Sequence, residues 1–155
     1  MADRVSASIT IGGALSAALL PDLLAAVECE GLSTEWDGEP FAADQLPTDG
    51  PLILMAHEVA WGRFTELEAF CVQNNLPFAR WAGGCPGAWG AERTVFTGTG
   101  EPQCFAADED DHVLMGRCTA ERLGSYAAII AHFDAADFAV PPLVVAADDK
   151  EVGNG

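Results

Sequence analysis

The sequence predicts an α+β protein, and three observations lead to this prediction. The chain has 155 residues, the usual length of one domain, and half of them are apolar, which is enough for a hydrophobic core. Strand-type alternation and helix-type spacing of apolar residues follow one another along the chain. Residues 37–51 are a connection rich in Asp, Pro and Gly, but no linker separates two cores, so we expect residues 1–146 to form a single α+β domain.

The first part of the chain has the pattern of a strand, a helix and a second strand. Apolar and polar residues alternate over residues 5–11, as in a strand with one buried face. After Gly12-Gly13, leucines at helical spacing predict a helix that includes residues 19–27. Gly31 is suited to end this helix because glycine adopts the left-handed conformation without strain. Residues 32–36 then have the composition of a short strand.

The same order of elements returns in the next part of the chain. Residues 52–55 predict a strand, residues 62–74 a helix and residues 76–81 another strand. Asn75 occupies the place after the helix that Gly31 occupies in the first unit. Two strand–helix–strand units in series predict a ferredoxin-like sandwich, in which the two units are interleaved in one sheet.

The last part of the chain extends this sandwich. A glycine-rich stretch covers residues 82–90, and a β-meander of three strands and a helix that begins after Ser125 follow it. Thr119 is expected to cap a short helical turn between the meander and this helix. The three strands are predicted at residues 93–97, 103–107 and 112–115, a final extended segment at residues 138–145, and a disordered acidic tail at residues 147–155.

The charge of the chain is its most unusual property. Asp and Glu number 24 against seven Lys and Arg, which gives a net charge of −17. This charge repels the phosphates of nucleic acids and anionic membrane surfaces, so we expect no direct binding to either. It attracts a basic protein, although acidity that serves solubility alone gives the same composition.

The cysteines favour a reducing cytoplasm. Five are present, and no two of them have C-x-x-C spacing, so neither a disulfide framework nor a zinc ribbon is predicted. The apolar segment over residues 9–27 is not expected to be a signal peptide, because the segment before it, Met1–Arg4, has one acid and one base rather than a positive charge.

Four consecutive acids form the first candidate site: Asp108, Glu109, Asp110 and Asp111. A calcium-binding loop of the EF-hand type needs glycine at its sixth position and glutamate at its twelfth. Counted from Asp108, these positions hold Val113 and Thr119, so no calcium site is predicted. The run is expected to be an exposed hairpin tip, and it is the most concentrated patch of negative charge that could face a basic partner.

A second candidate site combines His57, Glu58 and Cys85. An imidazole, a carboxylate and a thiol are the groups that acid–base or nucleophilic chemistry uses, and all three residues lie near ends of predicted strands. The H-E-x-x-H pattern of zinc proteases is absent because Trp61 stands in place of its second histidine. We therefore predict no metal and no cofactor, and the pattern of the three residues does not by itself establish catalysis.

Three tryptophans form the third candidate site: Trp61, Trp81 and Trp89. They lie in or beside loop sequence, where tryptophans often anchor protein interfaces. The alternative is that they fill the core beneath the glycine-rich stretch.

Three functions follow from these features. The charge and the lack of a catalytic pattern favour a non-enzymatic, regulatory module that binds a basic protein, in its sharpest form an inhibitor that imitates phosphate for a nucleic-acid-handling partner. The second is a small-molecule-binding protein or enzyme with its site near His57, Glu58 and Cys85. The third is a structural subunit that forms a homodimer through an open sheet edge or through the tryptophan patch.

Overall fold

A five-stranded antiparallel sheet is the centre of the structure, which is a computed structural model that describes residues 3–146. The acidic tail predicted over residues 147–155 lies outside the described residues. The strands are β1 (Arg4–Ile11), β2 (Gly13–Ser16), β3 (Leu52–Ala60), β4 (Phe78–Ala82), β5 (Glu92–Phe96), β6 (Gln103–Ala106) and β7 (Leu143–Ala146). The helices are α1 (Leu20–Glu30), α2 (Thr65–Gln73), α3 (Arg117–Leu123) and α4 (Tyr126–Ala136). The predicted α+β class is confirmed.

The strands of the main sheet lie in the order β3-β1-β4-β5-β6. The register places Ile9 of β1 between Leu54 of β3 and Arg80 of β4. A second, two-stranded sheet joins β2 and β7 in parallel, with Gly13 opposite Leu143. Within residues 3–146, no helix is long and apolar enough to cross a membrane.

The inner face of the main sheet carries the larger hydrophobic core. The alternating apolar residues of β1 point to this face and are buried, as their spacing predicts. Helices α1 and α2 cover them, with Leu23 and Leu67 fully buried between helix and sheet. Burial of such side chains stabilises the fold by about 1.5–3 kcal/mol each.

The outer face of the sheet is covered over only part of its width. Ala136 of α4 packs on Val95 and Phe105, so this helix covers the half of the sheet that includes β5 and β6. The outer side chains of β1 and β3 stay accessible: Ile53 is 48% exposed, and Ser8 is half-buried. The sheet therefore presents an accessible half on its outer face.

The local chemistry of the helix ends agrees with the predictions. Gly31 (φ 67°) and Asn75 (φ 56°) adopt the left-handed conformation that ends α1 and α2. Ser125 caps α4, because its Oγ accepts a hydrogen bond from the N–H of Ala128 at 3.1 Å.

Replacing Ser125 with alanine is expected to lower the free energy of unfolding by about 1 kcal/mol, because the first turn of α4 would lose this acceptor. Urea denaturation of the full chain measures the change. Ser125→Asn keeps a side-chain acceptor and is expected to retain most of the stability. Equal losses in the two variants would show that the cap is not the cause.

Two predicted strands are replaced by single bridges. Residues 32–36 contribute only the bridge between Ser33 and Met55, because the carbonyl of Leu32 accepts from the N–H of Phe41 in a local loop. Residues 112–115 contribute only the bridge between Val113 and Ala107. Both predictions of strands were therefore wrong.

Two further details of the prediction were wrong. Thr119 does not cap a helical turn, because α3 begins at Arg117 and places Thr119 inside the helix. The chain after Gly12 does not lead directly into a helix, because Gly13 opens β2, which pairs with β7 from the other end of the described chain. The local sequence contains no strong signal for pairing with a distant strand, and none for the first residue of a short helix.

Candidate functional site

Trp81 lies on the outer face, beside the accessible half of the sheet. It stands opposite Ser8, whose side chain belongs to the outer row of β1. The indole Nε1–H of Trp81 donates to the carbonyl oxygen of Asp108 at 2.9 Å. This hydrogen bond holds the turn at residues 108–111 against the outer face of the main sheet.

The four acids of this turn have different roles. Asp108 Oδ1 accepts from the backbone N–H groups of His112 and Asp110, each at 2.9 Å, and these bonds, that from His112 above all, lower the pKa of Asp108 below its ordinary value. Glu109 Oε2 accepts from the N–H of Gly84 at 2.9 Å, and its side chain stays exposed together with that of Asp110. The hydrogen bonds to Asp108 therefore stabilise the conformation of the turn, and the turn presents negative charge to solvent, as the sequence predicts for a hairpin tip.

Asp111 is bound internally. Its Oδ2 lies 2.8 Å from Nη1 of Arg93. Burial raises the pKa of Asp111, and the Arg93 guanidinium opposes this shift. Asp111 is therefore a structural group, and the charge available to a partner comes from the other three acids.

Asp108, Asp110 and His112 bring their ligand-type atoms within 4.8 Å of one another. Carboxylates and an imidazole at this spacing are compatible with a metal ion. Asp108 already accepts two backbone hydrogen bonds, and Asp110 and His112 are exposed. No metal site is assigned, since an exposed acidic turn has the same geometry.

Trp36 stands at the opposite border of the accessible half-sheet, where it stacks on His57 of β3. Their rings stack with centroids 4.8 Å apart, and Trp36 is 43% exposed. His57 Nδ1 lies 2.6 Å from Ser6 Oγ, and His57 Nε2 lies 3.5 Å from Asp37 Oδ1. Sequence reasoning placed Trp36 in a strand and missed its exposure. The adjacent Asp37-Gly38, a dipeptide typical of turns, was the available signal.

We call this surface the outer trough. Its floor consists of the outward side chains of β1 and β3: Ser6, Ser8, Thr10, Ile53, Met55 and His57. Trp36 and Asp37 border it on one side, and Trp81 with the turn at residues 108–111 borders it on the other. The trough therefore combines apolar surface, two tryptophans and carboxylates, which are the components of a protein-docking surface.

Ser6, His57 and Asp37 are connected in the order of a serine hydrolase triad. Hydrolysis also needs N–H donors for the oxyanion, near the nucleophile. The nearest loop amides have other acceptors, since Gly83 N–H donates to the Ser6 carbonyl at 2.8 Å and Gly84 N–H donates to Glu109. The Asp37 side chain is 84% exposed and 3.5 Å away, too far to fix the ring by a hydrogen bond. These contacts favour a binding role for His57.

The predicted group of His57, Glu58 and Cys85 is brought together only in part. His57 and Glu58 border a cavity of about 350 Å³ at the end of β3, where Glu58 (φ 59°) lies in a β-bulge. Cys85 is not among the residues that line this cavity; it is half-buried in the glycine-rich loop, and its N–H donates to the Trp89 carbonyl at 2.8 Å. A site that uses all three side chains therefore has no geometric support.

Trp61 and Trp89 lie on the inner side of the molecule, away from Trp81. Their ring centroids are 5.8 Å apart and the rings are tilted by 35°. They line a cavity of about 530 Å³ together with Arg63, Thr65 and Glu92. We call this cavity the inner cleft. The predicted tryptophan group is therefore divided between two surfaces.

Arg80 is a buried arginine that is surrounded by polar partners next to Glu92 of the inner cleft. Arg80 is 3% exposed, and its guanidinium donates to the Gly62 carbonyl at 2.7 Å and to Thr94 Oγ1 at 3.0 Å. Its Nε lies 2.8 Å from Glu68 Oε2, in ionic contact rather than in hydrogen-bond geometry, and its Nη2 lies 3.5 Å from Glu92 Oε2. Burial raises the pKa of Glu68, and the Arg80 charge opposes this shift.

The thiols of Cys104 and Cys71, near Arg80, both have raised pKa values. Cys104 Sγ donates to Glu92 Oε2 at 3.0 Å, and burial, followed by this hydrogen bond, raises the pKa of Cys104. Burial also raises the pKa of Cys71 to about 12. Because the thiolate is the nucleophilic form, both groups are unsuited to covalent chemistry at neutral pH.

The fold and these surfaces define a mixed α+β protein with an acidic, accessible half-sheet on one side and a tryptophan-lined cleft on the other. Comparison of the chain with protein-family models, with curated proteins and with solved structures gave no match.

Proposed function

We propose that this chain is a non-enzymatic binding module that engages a basic protein through the outer trough. The observation that carries the proposal is the position of the acidic turn and Trp81 on the same accessible face as Trp36 and Asp37. Aromatic anchors surrounded by charge are typical of protein-binding surfaces.

The distribution of arginines supports a basic partner. Arg93 neutralises only Asp111, and Arg80 is buried on the inner side of the sheet. Arg117 pairs with Glu121 on α3. The carboxylates of Glu109, Asp110 and Asp37 therefore face solvent without a close arginine in residues 3–146, as a surface that imitates phosphate for a nucleic-acid-handling protein requires.

The same charge disfavours a homodimer that forms through the outer trough. Two copies that met through the outer trough would bring two acidic rims together, and like charges at an interface cost several kcal/mol. A different protein with a basic surface would bind there without this repulsion.

We also propose that the core of the fold is ferredoxin-like and that the protein works in a reducing cytoplasm. Ser33 bridges to β3, so the segment after α1 and the strand β1 flank β3, while β3 and β4 flank β1. This interleaving is the feature of a split β-α-β sheet, here with its second strand reduced to one bridge and with β5 and β6 added. Free, exposed thiols at Cys29 and Cys118 are compatible with a reducing compartment.

The proposal is tested with a short, fluorescein-labelled peptide of alternating lysine and leucine. Fluorescence anisotropy is expected to report binding whose Kd rises steeply as NaCl increases from about 50 to about 500 mM, because screening weakens the attraction. The double variant Glu109→Gln, Asp110→Asn is expected to bind about tenfold more weakly, and Trp36→Ala is expected to weaken binding by a similar factor.

The matched control is Asp22→Asn, Glu28→Gln, which removes the same charge from the exposed side of α1 on the inner half of the molecule. It is expected to change Kd less than twofold. If both double variants weakened binding equally, the peptide would be sensing net charge, and the outer trough would not be the site. A Kd independent of salt would contradict a charge-driven function.

A further inference from the structure

The inner cleft is built for a ligand of a different kind, and this inference does not depend on a basic partner. We propose that it binds a small aromatic compound that carries one carboxylate and a hydrogen-bond donor. The cleft has a volume of about 530 Å³, within the range of small-molecule sites.

Trp61 is held in the cleft at a cost to the fold. Its backbone has φ 59°, in the left-handed region that bulky side chains avoid, and its side chain is 54% exposed. The Trp61 N–H donates to the Asp3 carbonyl at 2.8 Å, and the Gly62 N–H donates to the Val59 carbonyl at 3.1 Å, so hydrogen bonds maintain this conformation. The strained backbone opposes folding, and an indole that stays about half exposed recovers little of this cost through burial; this combination is typical of a binding position.

Trp89 supplies the fixed half of an aromatic pair. It is half-buried and packs against the inner core, whereas Trp61 is mostly exposed. The two rings, tilted by 35° at 5.8 Å, give a planar ligand an aromatic surface to stack on. This pair accounts for the aromatic part of the ligand.

Arg63 supplies the charge for the carboxylate. It is exposed, lines the inner cleft, and forms no ion pair within 4.0 Å in the described residues, although its charge also acts at longer range on Glu68. A free guanidinium binds a carboxylate through two parallel hydrogen bonds. The net charge of −17 penalises a ligand with several negative charges, so a monocarboxylate is favoured over a polyphosphate.

Glu92 supplies an acceptor at the back of the cleft. Its Oε2 is occupied by Cys104, Thr94 and the Arg80 guanidinium. These contacts fix the carboxylate, and its other oxygen has no partner in residues 3–146 that would compete with an N–H or O–H of a ligand. A ring donor on Glu92 and a carboxylate on Arg63 would orient the ligand between the two tryptophans.

The test uses indole-3-acetate and its uncharged analogue indole-3-acetamide as probes in isothermal titration calorimetry of the full chain. Indole-3-acetate is expected to bind with a Kd below about 1 mM, and the amide at least tenfold more weakly. Arg63→Gln is expected to weaken binding of the acetate about tenfold and to leave binding of the amide unchanged. Arg122→Gln removes the same charge from α3 and is the matched control, with no expected change.

Trp61→Gly separates binding from folding. Glycine accepts the left-handed backbone, so the midpoint of thermal unfolding is expected to stay within about 3 °C of the wild type while indole-3-acetate binding falls at least tenfold. The proposal is overturned if neither probe binds at about 10 mM, or if the amide and the Arg63→Gln variant bind as well as the acetate and the wild type do.

Discussion

Replacing Arg80 with methionine is expected to lower the free energy of unfolding by about 3–5 kcal/mol near pH 7.5. Methionine retains the length and much of the packing of the arginine stem. It removes the charge that faces Glu68 and Glu92 and the donors to Gly62 and Thr94. Breaking a buried ion pair on one side is costly because it leaves the other charge in a poorly solvated site.

The loss is expected to depend on pH in a defined direction. Burial already holds the pKa of Glu68 above its ordinary value with Arg80 present, and removal of Arg80 raises it further. A raised carboxyl pKa means that the folded chain binds a proton more tightly than the unfolded chain does. Its contribution to stability is then present below the unfolded-state pKa and is lost as pH rises through the folded-state pKa.

Urea denaturation of the wild type and the Arg80→Met variant near pH 7.5 and near pH 5 measures this effect. The difference in the free energy of unfolding between the wild type and the variant is expected to be smaller near pH 5 than near pH 7.5, because Glu68 takes up a proton in the variant at the lower pH. Arg117→Met is the control, because Arg117 is 88% exposed and 3.6 Å from Glu121, and such surface pairs contribute about 0–1 kcal/mol. A deficit of the same size at both pH values would show that lost packing, rather than charge, is the cause.

The features that sequence reasoning predicted correctly are those with local causes. The alternation over residues 5–11 fixes which face of β1 is buried, because successive side chains of a strand point to opposite faces. Gly31, Asn75 and Ser125 mark helix ends through their own conformational preference or their own side-chain acceptor. None of these features depends on a distant segment.

The features that were missed depend on distant segments. Arg80 stands at an inward position of an apolar strand, which the sequence shows, but its partners Glu68, Glu92 and Thr94 come from a helix and another strand. The inner cleft needs the same assembly, since Arg63 and Trp89 meet only after the sheet forms. Residue types alone therefore pointed to His57, Glu58 and Cys85 instead.

The division of the tryptophans has a similar cause. Trp81 faces outward because the register of β4 against β1 places it opposite Ser8. Trp61 and Trp89 lie in segments outside the strands, and their side of the sheet is set by the left-handed turn at Trp61 and by the bridge between Cys85 and Trp89. Loop sequence contains no periodic pattern from which these positions could be read.

Gly12 gives the second large effect that we expect. Gly12 follows directly after β1, a position that is compatible with a turn into a helix. In the structure it packs against the segment before β7. A Cβ atom at this position would overlap the carbonyl oxygen of Pro141 and would lie 2.8 Å from Cγ1 of Val140. Because the closest atom is backbone, a side-chain rotation cannot relieve the overlap, and Gly12→Ala is expected to cost about 3 kcal/mol.

The Gly12→Ala variant should also lose a specific part of the structure. The Gly13 N–H donates to the Pro142 carbonyl at 3.0 Å, and displacement of Pro141 would separate β7 from β2. Hydrogen exchange is expected to show lost protection at residues 143–146, while the amides of β1 and β4 stay protected. Gly90→Ala is the control, because a Cβ there meets no atom within 4 Å. Equal protection in the two variants would mean that Gly12 does not lie under Pro141, and that the parallel pairing between the two ends of the described chain does not depend on the glycine.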